Sequence, residues 1–330
     1  MLKLSVIIPI YNVQEYLPAC LDSVLEPKAE DYEIIAVDDG STDRSGAIAD
    51  EFAAAHPNQI RVIHTPNGGL GHARNTGLEA AEGKYLLFLD SDDTLARGAL
   101  REILDSLDDS FDVGLFDFIT VNESGRQLEY TSGCERQGRF TLEEYPQLLF
   151  APPNAVNKLW RRRLFTENGI RFPDRQWFED LATVPRLYLQ AESFAVLGKP
   201  WYVYLQRSGS IMTSDTALRN REIITAVDTV LEAYRAAGLY ERYEAELCRM
   251  ALYHQLLTSC DRVALIDPKS PVLIELSEDF ERKFPHWREN RYVQQMSKKY
   301  KLLLALIARR RFREVKTLME ANNRLRRKNH

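Results

Sequence analysis

Cysteine is scarce and scattered: Cys20, Cys134, Cys248 and Cys260 are the only four in 330 residues. They form no CxxC pair and no metal-ligand spacing, which argues against a disulfide framework, a cysteine-rich zinc site or a thioredoxin-like redox motif and leaves reduced thiols. Long apolar runs are missing too. The opening MLKLSVIIPIYN is interrupted by Pro9 and Asn12, too soon for a signal peptide. No stretch approaches the roughly 20 apolar residues that a membrane-spanning helix needs. The expectation is a cytoplasmic protein, at most peripheral on the inner face of the cell membrane. There is no Walker lysine pattern and no GxGxxG after the first apolar run, which argues against a P-loop phosphotransferase and a dinucleotide dehydrogenase. No internal repeat is evident.

What is present is ordinary in bulk and uneven in detail. The chain is 45% hydrophobic and 28% charged, as soluble globular proteins are. Its net charge of -5 hides a basic tail: residues 296–330 hold twelve lysines and arginines against Glu314 and Glu320. Within that tail Lys298-Lys299-Tyr300-Lys301 precedes an apolar run at 302–308, followed by Arg309-Arg310-Arg311 and Arg313. A basic amphipathic helix of this kind can lie in a membrane interface, pack in a helical bundle, or join two copies as a homodimer. Nucleic acid is not expected, because the basic residues lack interleaved aromatics and the body is acidic.

The first 120 residues alternate strand and helix signals. Apolar runs at 5–10, 33–37, 60–64 and 85–89 predict strands, with a fifth near 113–120. Helical spacing appears at 15–25, up to residue 55, at 70–81 and at 97–107. Uniformly apolar strands alternating with helices predict an α/β fold with a mostly parallel sheet covered on both faces. Residues 122–138 are polar and turn-rich, Thr141 and Glu144 have capping-box spacing that predicts a helix start, a helix is expected over 179–190 and a short strand over 194–197. Beyond 216 strand signals vanish, and helical windows follow at 220–237, 240–262, 272–284 and 292–321. The organisation expected is a catalytic domain over 1–215 and an α-helical C-terminal region over 216–330, its basic tail at 296–330.

In open α/β sheets ligands bind at the C-terminal strand ends, where both acidic loops fall. Asp90-Ser91-Asp92-Asp93 follows the apolar LLFL. Carboxylates spaced i, i+2 there suit Mg²⁺ or Mn²⁺, which takes hard oxygens from one or two carboxylates and from substrate phosphates. The alternative is a turn satisfying its own backbone amides. At Asp38-Asp39-Gly40-Ser41, Asp39 can accept from a pyrimidine or a ribose hydroxyl, or can cap the helix that follows. Ser41, Thr42 and Asp43 are further cap candidates. Tyr11, in Pro9-Ile10-Tyr11-Asn12, can stack on a base or sit in the core. The glycine loop at 67–75 carries Arg74, in reach of a phosphate or a base edge.

In order and at typical separations, VIIPIYN, AVDDGSTD, NGGLGHARNTGL and FLDSDD resemble the family 2 glycosyltransferases of the GT-A fold, over roughly residues 1–215. The resemblance implies an inverting hexosyltransferase that moves a hexose or N-acetylhexosamine from a UDP-sugar, with Mn²⁺ or Mg²⁺. The acceptor implied is a glycan or undecaprenyl-linked oligosaccharide, in capsule or exopolysaccharide assembly. It places Pro9, Tyr11, Asp39 and Arg74 around the uridine. Asp90 and Asp92 become the pair at ribose, diphosphate and metal, with Asp92 the more direct ligand. In Trp177-Phe178-Glu179-Asp180 it makes Asp180 the general base; acids favoured by a helix N-terminus are the alternative. Arg207 resembles part of a loop closing on the diphosphate, or is a solvated arginine. Asn157-Lys158-Leu159-Trp160 resembles a segment near the acceptor, with Trp160 and Trp177 stacking on sugar or packing in the core. A sugar-nucleotide nucleotidyltransferase and a catalytically silent nucleotide-sugar-binding module are the rival functions.

Overall fold

The computed structural model describes residues 2–25, 30–207 and 217–328. The chain divides into two compact units, residues 1–210 and 211–330. The domain limit expected near 215 lies outside the described residues.

The first unit opens with β1 (Leu4–Ile10), α1 (Leu17–Ser23), β2 (Tyr32–Asp38), α2 (Ser45–Ala55), β3 (Ile60–His64), α3 (Leu70–Ala80) and β4 (Tyr85–Phe88). Every residue of β1 and β4 is buried, the reason their sequences show no polar alternation. These strands lie in the order β3-β2-β1-β4, all parallel. Ile10 pairs with Asp38 and Asp38 with His64, while Phe88 pairs with Ile7. The loops carrying Tyr11, Asp39 and Asp90 therefore leave the sheet at one edge.

Beyond β4 the sheet turns mixed. The chain continues through β5 (Thr94–Leu95), α4 (Ala99–Ser106), β6 (Val113–Asn122), β7 (Gln127–Thr131), β8 (Gly138–Phe140), β9 (Lys158–Arg161), α5 (Arg163–Thr166), α6 (Glu179–Gln190) and β10 (Phe194–Gln206). Strand β9 inserts between β4 and β6, antiparallel to both, and β6 and β10 pair in parallel. The parallel half is thus the part of the sheet expected from the apolar runs. The antiparallel pairings come from the short strands β5, β7, β8 and β9, which show no periodic signal. The polar stretch at 122–138 is the β6–β7 hairpin, and the strand expected over 194–197 runs on to Gln206.

The capping box forms without its helix. Thr141 N–H donates to Glu144 Oε2 at 2.8 Å and Glu144 N–H to Thr141 Oγ1 at 3.2 Å. Pro146 then bars Tyr145 from the helical region, at φ -142° and ψ 70°, and only a 3₁₀ turn at Pro146–Phe150 follows.

Helix α3 is clamped on two sides by glycine. A Cβ on Gly77 would lie 2.4 Å from the Ile7 side chain of β1, and one on Gly71 would lie 2.2 Å from the Pro173 carbonyl oxygen. Because a carbonyl cannot give way as a rotamer does, Gly71→Ala is expected to cost about 1–3 kcal/mol. Thermal unfolding of the variant against the wild-type protein checks it.

The second unit is helical: α7 (Glu222–Ala236), α8 (Tyr240–Ala251), a π-helical stretch (Leu252–Cys260), α9 (Asp261–Ile266), α10 (Pro271–Lys283), α11 (Arg291–Gln294), α12 (Lys298–Ala308) and α13 (Phe312–Lys328). The window expected at 240–262 is one helical stretch whose middle winds as π. There Gln255, fully buried, donates to the Leu276 carbonyl and to Asp279 Oδ2, each at 2.9 Å. The window at 292–321 is broken, because Arg310 adopts φ 57° between α12 and α13. Of the apolar run in α12, Leu303, Leu304, Leu306 and Ile307 are buried and only Leu302 is largely exposed. The face that membrane insertion needs is packed inside this unit, as the bundle alternative has it. No helix among the described residues is long and apolar enough to cross a membrane.

Candidate active site

Arg74 organises the site. It lies on the buried face of α3 with Gly71, Gly77 and Leu78, and its side chain is 2% exposed. Its guanidinium donates to Asp90 Oδ1 at 3.0 Å, to Asp180 Oδ1 at 2.7 Å and to Glu179 Oε1 at 3.2 Å. The Phe172 ring lies 5.3 Å from its charge centre. The expectation places Arg74 beside the uridine or a phosphate; in the structure its direct partners are acids. Its fork is turned to three carboxylates, a geometry that suits guanidinium and not ammonium.

Those acids come from two places far apart in sequence. Asp90 follows β4, while Glu179 and Asp180 open α6, entered through Phe178 at a left-handed φ of 65°. For a bulky residue this conformation is strained; here it aims the first turn of α6 at Arg74. Asp90 and Asp180 remain partly exposed, at 31% and 23% of their side chains, so the acids meet solvent with the arginine beneath them. Burial, reinforced by Asp180, pushes the Glu179 carboxyl up to about 7 against the pull of Arg74. Burial likewise raises Asp180, with Arg74 opposing it. Asp180 Oδ2 also accepts the Ala155 N–H at 3.1 Å.

The acidic turn after β4 closes by a backbone bond from Asp93 N–H to the Asp90 carbonyl, but its side chains reach outward. Asp92 Oδ2 accepts from Arg207 Nε at 2.7 Å. Asp93, buried, accepts from the Tyr202 hydroxyl at 2.6 Å and the Leu205 N–H at 2.7 Å. The turn thus meets part of its own backbone while its side chains tie it to β10 and Arg207. Burial, together with Asp90, raises the Asp92 carboxyl, and Arg207 opposes the rise. Arg207 also lies over Tyr16, 5.1 Å from its ring, and is not a solvated arginine; residues 208–211 of its loop lie outside the described residues. Among the described residues no group of three His, Cys, Asp or Glu could hold a metal. A hard divalent cation would fit Asp92 and Asp90 only in the way that carboxylates of this kind serve it, with phosphate and water oxygens completing its shell.

Asp39 sits at the end of β2, 2% exposed. It accepts from the N–H groups of Gly68 and Gly69 at 2.9 and 2.7 Å, from the Thr65 hydroxyl at 3.3 Å and from His72 Nδ1 at 3.2 Å. Its carboxylate moors the glycine loop and does not cap α2. The N-cap position of α2 is Arg44, without a side-chain cap bond, and Asp43 just before it accepts the Ser45 N–H at 2.9 Å. Pro9 is buried in β1, and Tyr11 just beyond it is 49% exposed, so its ring is not core. Trp160 is core: fully buried, stacked on Tyr188, its indole N–H donating to the Ala155 carbonyl at 3.0 Å. Trp177 is partly exposed. The sequence reading missed Glu179 as a partner of Arg74, Asp93 and Tyr202 as the tie to β10, and the environment of Lys158. Only the last had a signal, a lone lysine in the apolar stretch Val156–Trp160.

A parallel α/β edge that gathers an acidic turn, a moored glycine loop and a second acidic pair defines a nucleotide-type transferase site. The family model for glycosyl transferase family 2 matches residues 5–167. The glycosyltransferase GlyG of Streptococcus pneumoniae is 32% identical over 72% of this chain and 82% of its own length. The poly(ribitol-phosphate) beta-N-acetylglucosaminyltransferase TarS of Staphylococcus aureus is 32% identical over 65% of this chain, which spans only 37% of that relative. The crystal structure of residues 1–349 of S. aureus TarS in complex with UDP superposes with a TM-score of 0.73, covering 98% of this chain and 92% of that one at 24% identity. The chain belongs to glycosyl transferase family 2: it is a glycosyltransferase with the GT-A fold.

Proposed function

We propose that this chain is an inverting transferase that moves a hexose or N-acetylhexosamine from a UDP-sugar to a hydroxyl of a surface-glycan acceptor, lipid-linked or polymeric, with Asp180 as general base. One observation carries the reading: a single buried guanidinium, that of Arg74, holds both Asp90, which this reading puts at the donor, and Asp180, which it puts at the acceptor. The relative crystallised with UDP supports the donor class, and the relative named for poly(ribitol-phosphate) supports a polymer as acceptor.

The acceptor oxygen attacks the anomeric carbon, its proton passes to a carboxylate oxygen of Asp180, and the bond from that carbon to the diphosphate breaks to release UDP. A positioned base of this kind contributes about 10²–10⁴-fold. Tyr11 offers an exposed ring to the base, Pro9 and the loop moored by Asp39 shape the uridine side, and Arg207 is placed to meet the diphosphate. When bound, Mn²⁺ or Mg²⁺ would be held by Asp92 and Asp90 and would neutralise charge on the departing diphosphate. UDP release from a panel of UDP-sugars, with and without metal and acceptor, tests the reading. Binding without acceptor-stimulated release would leave the silent binding module in its place.

A pH dependence follows from the acid pair. A carboxyl whose pKa is raised takes up its proton earlier as pH falls, and a protonated base cannot accept another. With Asp180 raised by burial beside Glu179, kcat is expected to fall on the acid side at a higher pH than an ordinary aspartate would set, approaching tenfold per pH unit. A pH–rate profile at saturating donor checks it; an acid limb in the ordinary aspartate range contradicts it.

A further inference from the structure

Among the described residues Lys158 is the one fully buried lysine of the first unit, and nothing in the chemistry above uses it. It stands at the start of β9, where its ammonium donates to the Asn154 carbonyl at 2.6 Å, to Asn157 Oδ1 at 2.8 Å and to the Pro152 carbonyl at 3.3 Å. Three acceptors from one short segment are drawn onto one cation. Inside that segment lies Ala155, whose peptide groups are taken from opposite ends. Its carbonyl accepts the Trp160 indole N–H at 3.0 Å, and its N–H donates to Asp180 Oδ2 at 3.1 Å. Asp180 is thereby held at both oxygens, Oδ1 by Arg74 and Oδ2 by this peptide.

An apolar residue would fill the space at 158 at lower cost, because burying an ammonium is unfavourable unless its donors are met. A methionine there would leave residues 152–157 without the centre that gathers them. We propose that Lys158 is a positioning residue for transfer: it folds the 152–157 segment around its ammonium so that the Ala155 N–H, its carbonyl fixed by Trp160, orients the Asp180 carboxylate toward the acceptor hydroxyl. The inference rests on Asp180 being the base.

The charge matters as well as the shape. The charged and titratable groups around Asp180 are Arg74 from α3, Asp90 from the turn after β4, Glu179 on its own helix and Lys158 from β9. The lysine itself faces Asp180 and the Cys134 thiol. Its positive charge favours the ionised form of Asp180, and burial brings its own pKa down to about 7.

The test compares Lys158→Met and Trp160→Phe with the wild-type protein. The readouts are UDP release from UDP-glucose and UDP-N-acetylglucosamine across pH 5–9, and UDP affinity by calorimetry. Lys158→Met is expected to lower kcat roughly 10–100-fold, to leave UDP affinity within about twofold, and to move the acid limb of the kcat profile to higher pH, since a cation that favoured the carboxylate is gone. Trp160→Phe keeps an aromatic ring in the core, removes the N–H on the Ala155 carbonyl and leaves a small cavity where the larger indole stood; kcat is expected to fall severalfold with UDP affinity unchanged. If Lys158→Met does not fold, Trp160→Phe decides alone. A fall in kcat with an unmoved acid limb, parallel loss of UDP affinity, or unchanged kcat in Trp160→Phe overturns the proposal. Asp180→Asn measured alongside separates the two claims. Full turnover in that variant removes the base, whereas loss of turnover there with Lys158→Met unaffected removes only the positioning role.

Discussion

Arg74→Met is expected to destabilise the first unit by about 3–5 kcal/mol, the usual result of leaving a buried charge group without its partner. Three carboxylates, Asp90, Glu179 and Asp180, meet on this one side chain, which is 2% exposed and lies among α3 residues clamped against β1 and Pro173. Removing the cation leaves Glu179 and Asp180, already pushed upward by burial, without their nearest counter-charge. Their folded-state pKa values then rise further above those of the unfolded chain, so the folded state binds more protons than the unfolded one near neutrality. The sign of the linkage follows: the variant is less handicapped at pH 5.5 and more at pH 8. Arg74→Lys should fall between, since an ammonium cannot present a planar fork to acids from two elements. Denaturant unfolding of the three proteins at both pH values is the check, and equal loss at both would mean that the charge balance drawn here is wrong.

Asp180→Asn is expected to lower transfer by about 10²–10⁴-fold and to leave UDP affinity nearly as it was. Asparagine keeps the size of the side chain, but its one amide oxygen can accept from either Arg74 or the Ala155 N–H, so its NH₂ meets a donor at the other. It cannot take a proton. It also removes one of three negative charges on Arg74, which relieves repulsion near Asp90, so the melting temperature should fall only modestly. Unfolding, or loss of UDP affinity together with activity, would point to a structural acid pair at the start of α6 and away from a base.

Much of the site was legible in the chain because its strands are buried on both faces. Continuous apolar runs in β1, β2 and β4 end where polar residues begin, so Tyr11, Asp39 and Asp90 announce themselves as strand-end residues. The inward turn of Arg74 was readable too. Gly71, Arg74 and Leu78 are spaced i, i+3 and i+7, and small or apolar neighbours at those positions mark the face that packs. The motif drew attention to what arginine binds and away from where this one points.

Other features had no local signature. Asp39 has the sequence setting of a helix cap, and only the return of the chain through Thr65, Gly68 and Gly69 gives its carboxylate different donors. The tie from Asp93 to Tyr202 spans 109 positions. Strand β9 is four residues long and reaches its place between β4 and β6 through tertiary packing, so neither its direction nor the burial of Trp160 follows from its residues alone. In the tail, helical spacing was right in kind, but the break at Arg310 and the internal use of the α12 leucines depend on what packs against them.

An anionic nucleophile asks the base question most directly. Azide needs no proton removed: its nitrogen attacks the anomeric carbon, UDP departs, and a glycosyl azide forms. In Asp180→Ala, transfer to an alcohol acceptor should be lost while azide restores UDP release and yields the inverted glycosyl azide. Failure of azide to raise UDP release in a folded, UDP-binding Asp180→Ala protein, or survival of alcohol transfer in it, would contradict the account.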